Sequence, residues 1–276
     1  MPSSDDATSK VAWITGGSRG IGAETAVRLA ELGFDVALTA RDQTRLEAVA
    51  KEVETVGRRA LPLASDLTDR SSMAAFADAA LSWGGRCDVL CNIGIYQGRG
   101  WSQLLMEMPI EELDISLEAD VVAPALLCQR AIPSMIANGG GVIVNFSSAV
   151  VYLNPRRTVK NKPGGWSLSY AASKAAIDQF AKVINVELGT AGVRAYSVDP
   201  GHVAYGAEFL ERVQGDGMGS NTACPAEAIA PAIAWLVRSP TASELLSKRV
   251  YLPQITAEHQ LLPGWDGPGS PYPSRW

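Results

Sequence analysis

TGGSRGIG, residues 15–22, follows the apolar run Val11–Thr15 and leads into Ala23, Ala26, Val27 and Ala30, which recur at helical spacing before Gly33. The order reads as strand, tight turn and helix. Gly16, Gly20 and Gly22 lack the Cβ that would hold the backbone away from a bulky anion, and Ser18, Arg19 and Ile21 complete the turn. A helix start carries unpaired N–H groups and a partial positive charge, so the turn can seat a pyrophosphate. A glycine pattern alone is also an ordinary tight turn. The strand before it and the helix after it point to a dinucleotide.

The same alternation runs outward along the chain. Asp35–Thr39 reads as a second strand, Thr44–Val56 as a helix with a polar face, and Arg59–Leu63 as a third strand. Asp88–Cys91 and Gly141–Phe146 read as buried strands, separated by a helical stretch from about Ile110 to Ile136 in which Pro124 and Pro133 are the candidate bends or breaks. Tyr170–Leu188 is a helix, Val193–Val198 a strand, Pro225–Val237 a helix with Pro225 suited to its first turn, and Arg249–Leu252 a closing strand. Short strands alternating with helices imply right-handed crossovers, hence an α/β fold with a doubly wound parallel sheet and helices on both faces. We expect one domain over residues 10–261, between an N-terminal tail, 1–9, and a Pro/Gly-rich tail, 262–276. Trp265 and Trp276 in that tail either dock on a neighbouring subunit or fray.

Composition removes several classes of function. With 276 residues, 47% of them hydrophobic and 19% charged, the chain can bury one sizeable core. A net charge of −5 offers no broad basic field, so no nucleic-acid partner is expected. Residues 1–10 are polar, and no apolar run approaches the ~20 residues that span a bilayer, so the expectation is a cytoplasmic protein without a membrane partner. Cys87, Cys91, Cys128 and Cys224 form no CxxC pair, and His202 and His259 stand in no ligand-like cluster; reduced thiols and no metal are expected.

The second strand ends in Leu38, Thr39, Ala40 and Arg41, without the acidic residue that would accept the ribose hydroxyls of NAD. Arg41, together with Arg19, can grip a 2′-phosphate, which favours NADPH/NADP+ over NAD. The other reading makes Arg41 the solvated start of a helix beside Asp42.

TGGSRGIG, CNIG at 91–94, NFSS at 145–148, YAASK at 170–174 and DPG at 199–201 occur in an order that resembles the short-chain dehydrogenase/reductase family, over roughly residues 10 to 235. The resemblance implies a seven-stranded Rossmann-like sheet, a nicotinamide cofactor and a homodimer or homotetramer. It implies Tyr170 as general acid for carbonyl reduction, Ser148 as hydrogen-bond partner of the substrate oxygen, and Lys174 as holder of the nicotinamide ribose that lowers the tyrosine pKa. Asp66 and Leu67 match the adenine-contacting position, Asn92 to Gly94 the segment beside the adenine ribose, and Pro200, Gly201 and Val203 the turn lining the nicotinamide. The physics agrees, because a phenol titrates near ~10 and Lys174 follows Tyr170 by one helical turn. Taken alone, a Tyr and a Lys four apart are ordinary on a helix surface, Asp66 is equally an N-cap or turn, and the Pro-Gly pair is equally a plain strand-ending turn.

The chain also departs from the family pattern. Asp120 stands where the family carries an asparagine that supports a water-linked proton relay; the relay role and a plain helix residue at a subunit contact are both open. Residues 147–169 form a longer active-site loop with Pro155, Arg156, Arg157, Lys160 and Lys162, either attracting an acidic or carrier-bound substrate or lying as a solvated face. Tyr205 replaces a threonine, and Ile93 alters the asparagine-alanine pair. Residues 202–224, with Gly215, Gly217 and Gly219, read as a substrate lid or a plain connection. The expected activity is hydride transfer between NADP(H) and a carbonyl or secondary alcohol, a small-molecule ketone reductase, with a carrier-linked 3-oxoacyl reductase or a non-catalytic NADPH-binding regulatory protein as alternatives.

Overall fold

In chain order the strands are β1 (Val11–Thr15), β2 (Asp35–Ala40), β3 (Ala60–Ala64), β4 (Val89–Asn92), β5 (Gly141–Phe146), β6 (Val193–Asp199), β7 (His202–Val203), β8 (Ala223–Cys224) and β9 (Val250–Tyr251). The structure is a computed structural model and describes residues 9–98, 103–152, 166–203 and 223–267. Seven strands form one sheet in the order β3-β2-β1-β4-β5-β6-β9, parallel at every pairing, while β7 and β8 pair separately. The helices are α1 (Gly20–Glu31), α2 (Gln43–Thr55), α3 (Arg70–Gly84), α4 (Ile110–Leu117), α5 (Ala123–Ala137), α6 (Leu168–Leu188), α7 (Ala230–Arg238) and α8 (Leu252–Glu258).

The strands read as continuous apolar runs because both sheet faces are covered. Ala12, Ile14, Val36 and Leu38 turn to one face, where Leu29 of α1, Leu46 of α2, Ile233 of α7 and Ile255 of α8 meet them. Val11, Trp13, Ala37 and Leu90 turn to the other, against Phe76 of α3, Leu127 of α5 and Ile184 of α6. Full burial of each large side chain, Trp13 and Ile14 among them, contributes about 1.5–3 kcal/mol. The order of chain crossovers reverses between β1 and β4, and the crevice at their carboxyl ends is the ligand position of open α/β sheets.

Several local expectations are corrected. The expected helix over 110–136 is interrupted not at Pro133, which lies inside α5, but by a π turn over Glu118–Val122 just ahead of Pro124. Pro225 precedes the 3-10 turn Ala226–Ala228, and α7 begins only at Ala230. The closing strand is two residues long and passes directly into α8, a helix the sequence did not announce. Asp69 rather than Asp66 caps α3, accepting from the N–H groups of Ser71 and Ser72; Asp66 closes a turn on Thr68. Trp265 packs against the core on the side of the sheet covered by α1, α2, α7 and α8. The basic residues of the long loop, Tyr205, the glycines of the expected lid and Trp276 lie outside the described residues. No helix among the described residues is long and apolar enough to cross a membrane.

Candidate functional site

The glycine turn is held from two sides. Gly17 N–H donates to the Thr39 carbonyl at 3.0 Å, and the Thr15 hydroxyl accepts from the N–H groups of Ile93 and Gly94 at 3.1 and 3.0 Å. A Cβ on Gly16 would stand 2.9 Å from Gly94 Cα, and one on Gly22 only 2.1 Å from the Gly16 carbonyl oxygen. The two glycine segments, 15–22 and 91–94, therefore meet backbone to backbone. Arg19 precedes α1 without a side-chain cap, leaving the helix N–H groups facing the crevice between β1 and β4. These features fit a dinucleotide pyrophosphate.

Around the turn, Ser18 and Gly20 are half-buried, Ile21 is buried, and Arg19 and Arg41 are exposed. Ala40 ends β2 with no carboxylate, and Asp42 caps α2 through the Arg45 N–H at 3.1 Å, so both readings of Arg41 describe its setting. Leu67 lies against Gly94, and Asn92 donates from its side-chain amide to Asn145 Oδ1 at 2.8 Å across β4 and β5. Tyr96, to which the sequence assigned no role, donates its N–H to Asp120 Oδ1 at 2.9 Å and its hydroxyl to Glu112 at 3.3 Å. Burial and then Glu112 push this phenol up, while the Arg41 charge pulls it down, so Tyr96 links the Arg41 side of the crevice to Asp120.

Ser148 leaves the end of β5 as the cap of a 3-10 turn, and its hydroxyl accepts from the Val150 N–H at 3.3 Å. Ser167 caps α6 by accepting from the N–H of Tyr170 itself at 3.2 Å. From that first turn the Tyr170 phenol meets the Ser148 hydroxyl. Lys174, one turn further, is buried, donates from Nζ to the Phe146 carbonyl at 2.8 Å, and lies 5.9 Å from the centre of the Tyr170 ring. Past the end of β6 the Asp199 carboxylate accepts from the Gly201 N–H at 2.9 Å, and Cys224 donates to the Pro200 carbonyl at 3.4 Å. Gly201 has φ +70, and a Cβ there would meet Tyr251 at 3.0 Å. Val203 is buried.

Asp120 is buried in the π turn, with Oδ2 accepting from the Ser173 hydroxyl at 3.1 Å. It forms no direct pair with Lys174, whose ammonium is directed to Phe146, but the two act on each other through space. Burial raises the Asp120 carboxyl against the pull of Lys174, Tyr96 and Ser173. Burial lowers the Lys174 ammonium, and Asp120 opposes that shift. At Tyr170 burial dominates: it pushes the phenol up to about 12, the Ser148 hydrogen bond pulls it down, and the charges of Asp199 and Asp120 add to the rise. The phenol is therefore held protonated at neutral pH, whereas the sequence suggested a phenol kept acidic by its lysine. Ser173 and Asp199 were visible only as motif letters, in YAASK and DPG; nothing in their spacing shows that Ser173 faces Asp120 or that Asp199 acts on Tyr170.

Among the described residues all four cysteines are free and buried, and burial raises their thiols, so none is an activated nucleophile.

Comparison with known proteins gives a consistent result. A family model described as short chain dehydrogenase matches residues 10–212. A short chain dehydrogenase of Pseudocercospora fijiensis is 34% identical over 199 residues, 70% of this chain but only 60% of that relative, so the chain matches less than two thirds of its length. The short-chain reductase protein NovJ of Streptomyces niveus is 33% identical over 226 residues, covering 78% of this chain and 81% of the relative. Among solved structures, a metagenomic short-chain oxidoreductase in complex with NADP is similar with a TM-score of 0.65 and 34% identity, over 82% of this chain and 90% of that one.

Proposed function

The chain belongs to the short-chain dehydrogenase/reductase family of NAD(P)(H)-linked oxidoreductases, and on that premise we propose that it reduces the carbonyl of a small ketone with NADPH, or oxidises the corresponding secondary alcohol with NADP+. The observation that carries this reading is the meeting of the Ser148 hydroxyl with the Tyr170 phenol, with the buried Lys174 ammonium one turn below. The glycine turn with Gly16, Gly20 and Gly22 and the Asn92 to Gly94 segment would hold a nicotinamide cofactor, which would supply the hydride. Tyr170 gives its proton to the substrate oxygen, and Ser148 donates a hydrogen bond to the same oxygen, fixing it beside the acid. Lys174 offsets the negative charge left on the phenolate. A phenol raised to about 12 carries the proton that reduction needs but releases it less readily than a free phenol, so the charge of Lys174 on the forming phenolate matters; alcohol oxidation needs the phenolate and should accelerate as pH rises.

Preference for the phosphorylated cofactor is supported by Ala40, which presents no carboxylate, and by the exposed guanidinium groups of Arg19 and Arg41. The NADP complex of the metagenomic relative agrees with it. The test is NADPH oxidation on a panel of ketones. Tyr170→Phe should lower turnover by about 10²- to 10⁴-fold while NADPH affinity, read by fluorescence titration, stays put. NADPH binding without turnover of any ketone or alcohol in the native chain would replace this reading with a nucleotide-binding regulatory role.

A further inference from the structure

Ser148 and Tyr152 stand at the two ends of one 3-10 turn, Ala149–Val151. Its bonds are few: Val151 N–H to the Ser148 carbonyl at 3.2 Å and Tyr152 N–H to the Ala149 carbonyl at 2.9 Å. Such a turn has little stiffness of its own, so its position is set by what holds its ends. The Ser148 end is tied through Ser147, whose N–H donates to the Val198 carbonyl at 2.8 Å and whose hydroxyl donates to the Lys174 carbonyl at 3.4 Å. At the other end the Tyr152 phenol donates to Asp178 Oδ1 at 2.6 Å, and the Arg249 guanidinium lies 3.5 Å over the centre of its ring. Asp178 is itself fixed, with its side chain 2% exposed and accepting from the Ser197 hydroxyl at 2.8 Å and from Lys182 at 3.3 Å.

We infer that Tyr152, clamped by Asp178 and Arg249, is a positioning residue that holds the Ser148 hydroxyl against Tyr170. The inference rests on the oxidoreductase reading above. α6 then fixes the site twice, carrying Tyr170 in its first turn and, further along, the carboxylate that anchors the turn of its hydroxyl partner. The Asp178 hydrogen bond and the Arg249 guanidinium orient Tyr152 beside a cavity of about 140 Å³ that is also lined by Lys182, Ser197, Ser247 and Lys248. That cavity admits water, so removal of one hydroxyl leaves Asp178 solvated instead of stranded.

The test is a double-mutant cycle on the full chain, with NADPH oxidation on the ketone turned over fastest as one readout. Tyr152→Phe should reduce kcat about tenfold in the native background and leave kcat unchanged in a Ser148→Ala background, the scale expected for groups acting through one another, with NADPH affinity constant. Equal losses in both backgrounds would mean a purely structural role and overturn the inference. Hydrogen exchange needs no substrate: the amides of residues 150–152 should exchange about tenfold faster in Tyr152→Phe, while those of β5 do not change. Unaltered exchange at 150–152 also overturns it. If the native chain turns over no ketone, the function reading fails, and the exchange measurement still decides whether the clamp holds the turn. Asp178→Leu, which removes the acceptor of the Tyr152 phenol, should reproduce both effects and stands in if Tyr152→Phe does not fold.

Discussion

Tyr170 is surrounded by charges that work against its ionisation. Asp120 is one of them, and its negative charge raises the phenol. Asp120→Asn removes that charge, so the pH at which alcohol oxidation accelerates should move downward, the phenolate being easier to form; a pH profile identical to that of the native chain would deny Asp120 any part in proton transfer. The outward-facing arginine at the end of β2 makes a separate claim. If Arg41 grips a 2′-phosphate, Arg41→Ala should weaken NADPH binding by about 10- to 100-fold, the weight of charged hydrogen bonds, and leave NADH unaffected. Equal losses for the two cofactors would instead favour the solvated-helix reading. The residue types at these positions were readable from the sequence, including Ser148, Tyr170, Lys174 and the alanine that frees Arg41. Their energetic balance was not, because it depends on the distance of Asp199 and Asp120 from one hydroxyl.

The π turn ahead of α5 has a cause in a single residue. Pro124 has no N–H to give to the Asp120 carbonyl, and its ring would crowd that carbonyl in a regular helix. The Ala123 N–H reaches back instead to Glu118, and the widened turn directs Asp120 at Ser173 and Tyr96. Arg70 grips Glu118 through two hydrogen bonds from the start of α3, pinning the turn. The sequence offered Pro124 and Pro133 alike as sites of disturbance and gave no form for it, since a proline marks where a bond is lost and not how the chain repairs it. α8 escaped notice because its seven residues span too few turns to display a period. At the head of α6, Ser167→Ala removes the acceptor for the Tyr170 N–H; it should lower stability by about 1 kcal/mol in urea unfolding and reduce kcat by loosening the turn that aims the phenol.

At the scale of the whole molecule, a homo-oligomer is the expectation, and we propose Val183 and Val186 of α6, 50% and 84% exposed, as the face it would cover. Val186→Lys should shift the sedimentation of the protein toward smaller species, and an unchanged profile would exclude this face from the assembly. The alternation of the seven sheet strands with most of the helices, and the glycine turn after β1, follow from the sequence by itself. Each is written in local terms, as a missing Cβ, a backbone dihedral or a spacing of apolar residues along a few turns. Only the tertiary structure decided which carboxylates face Tyr170, that Lys174 bonds to the end of β5, and that Tyr152 is fastened to α6 and to the residue preceding β9. Those relations join segments far apart in the chain, and their strength comes from distance and burial, which exist only once the elements have packed.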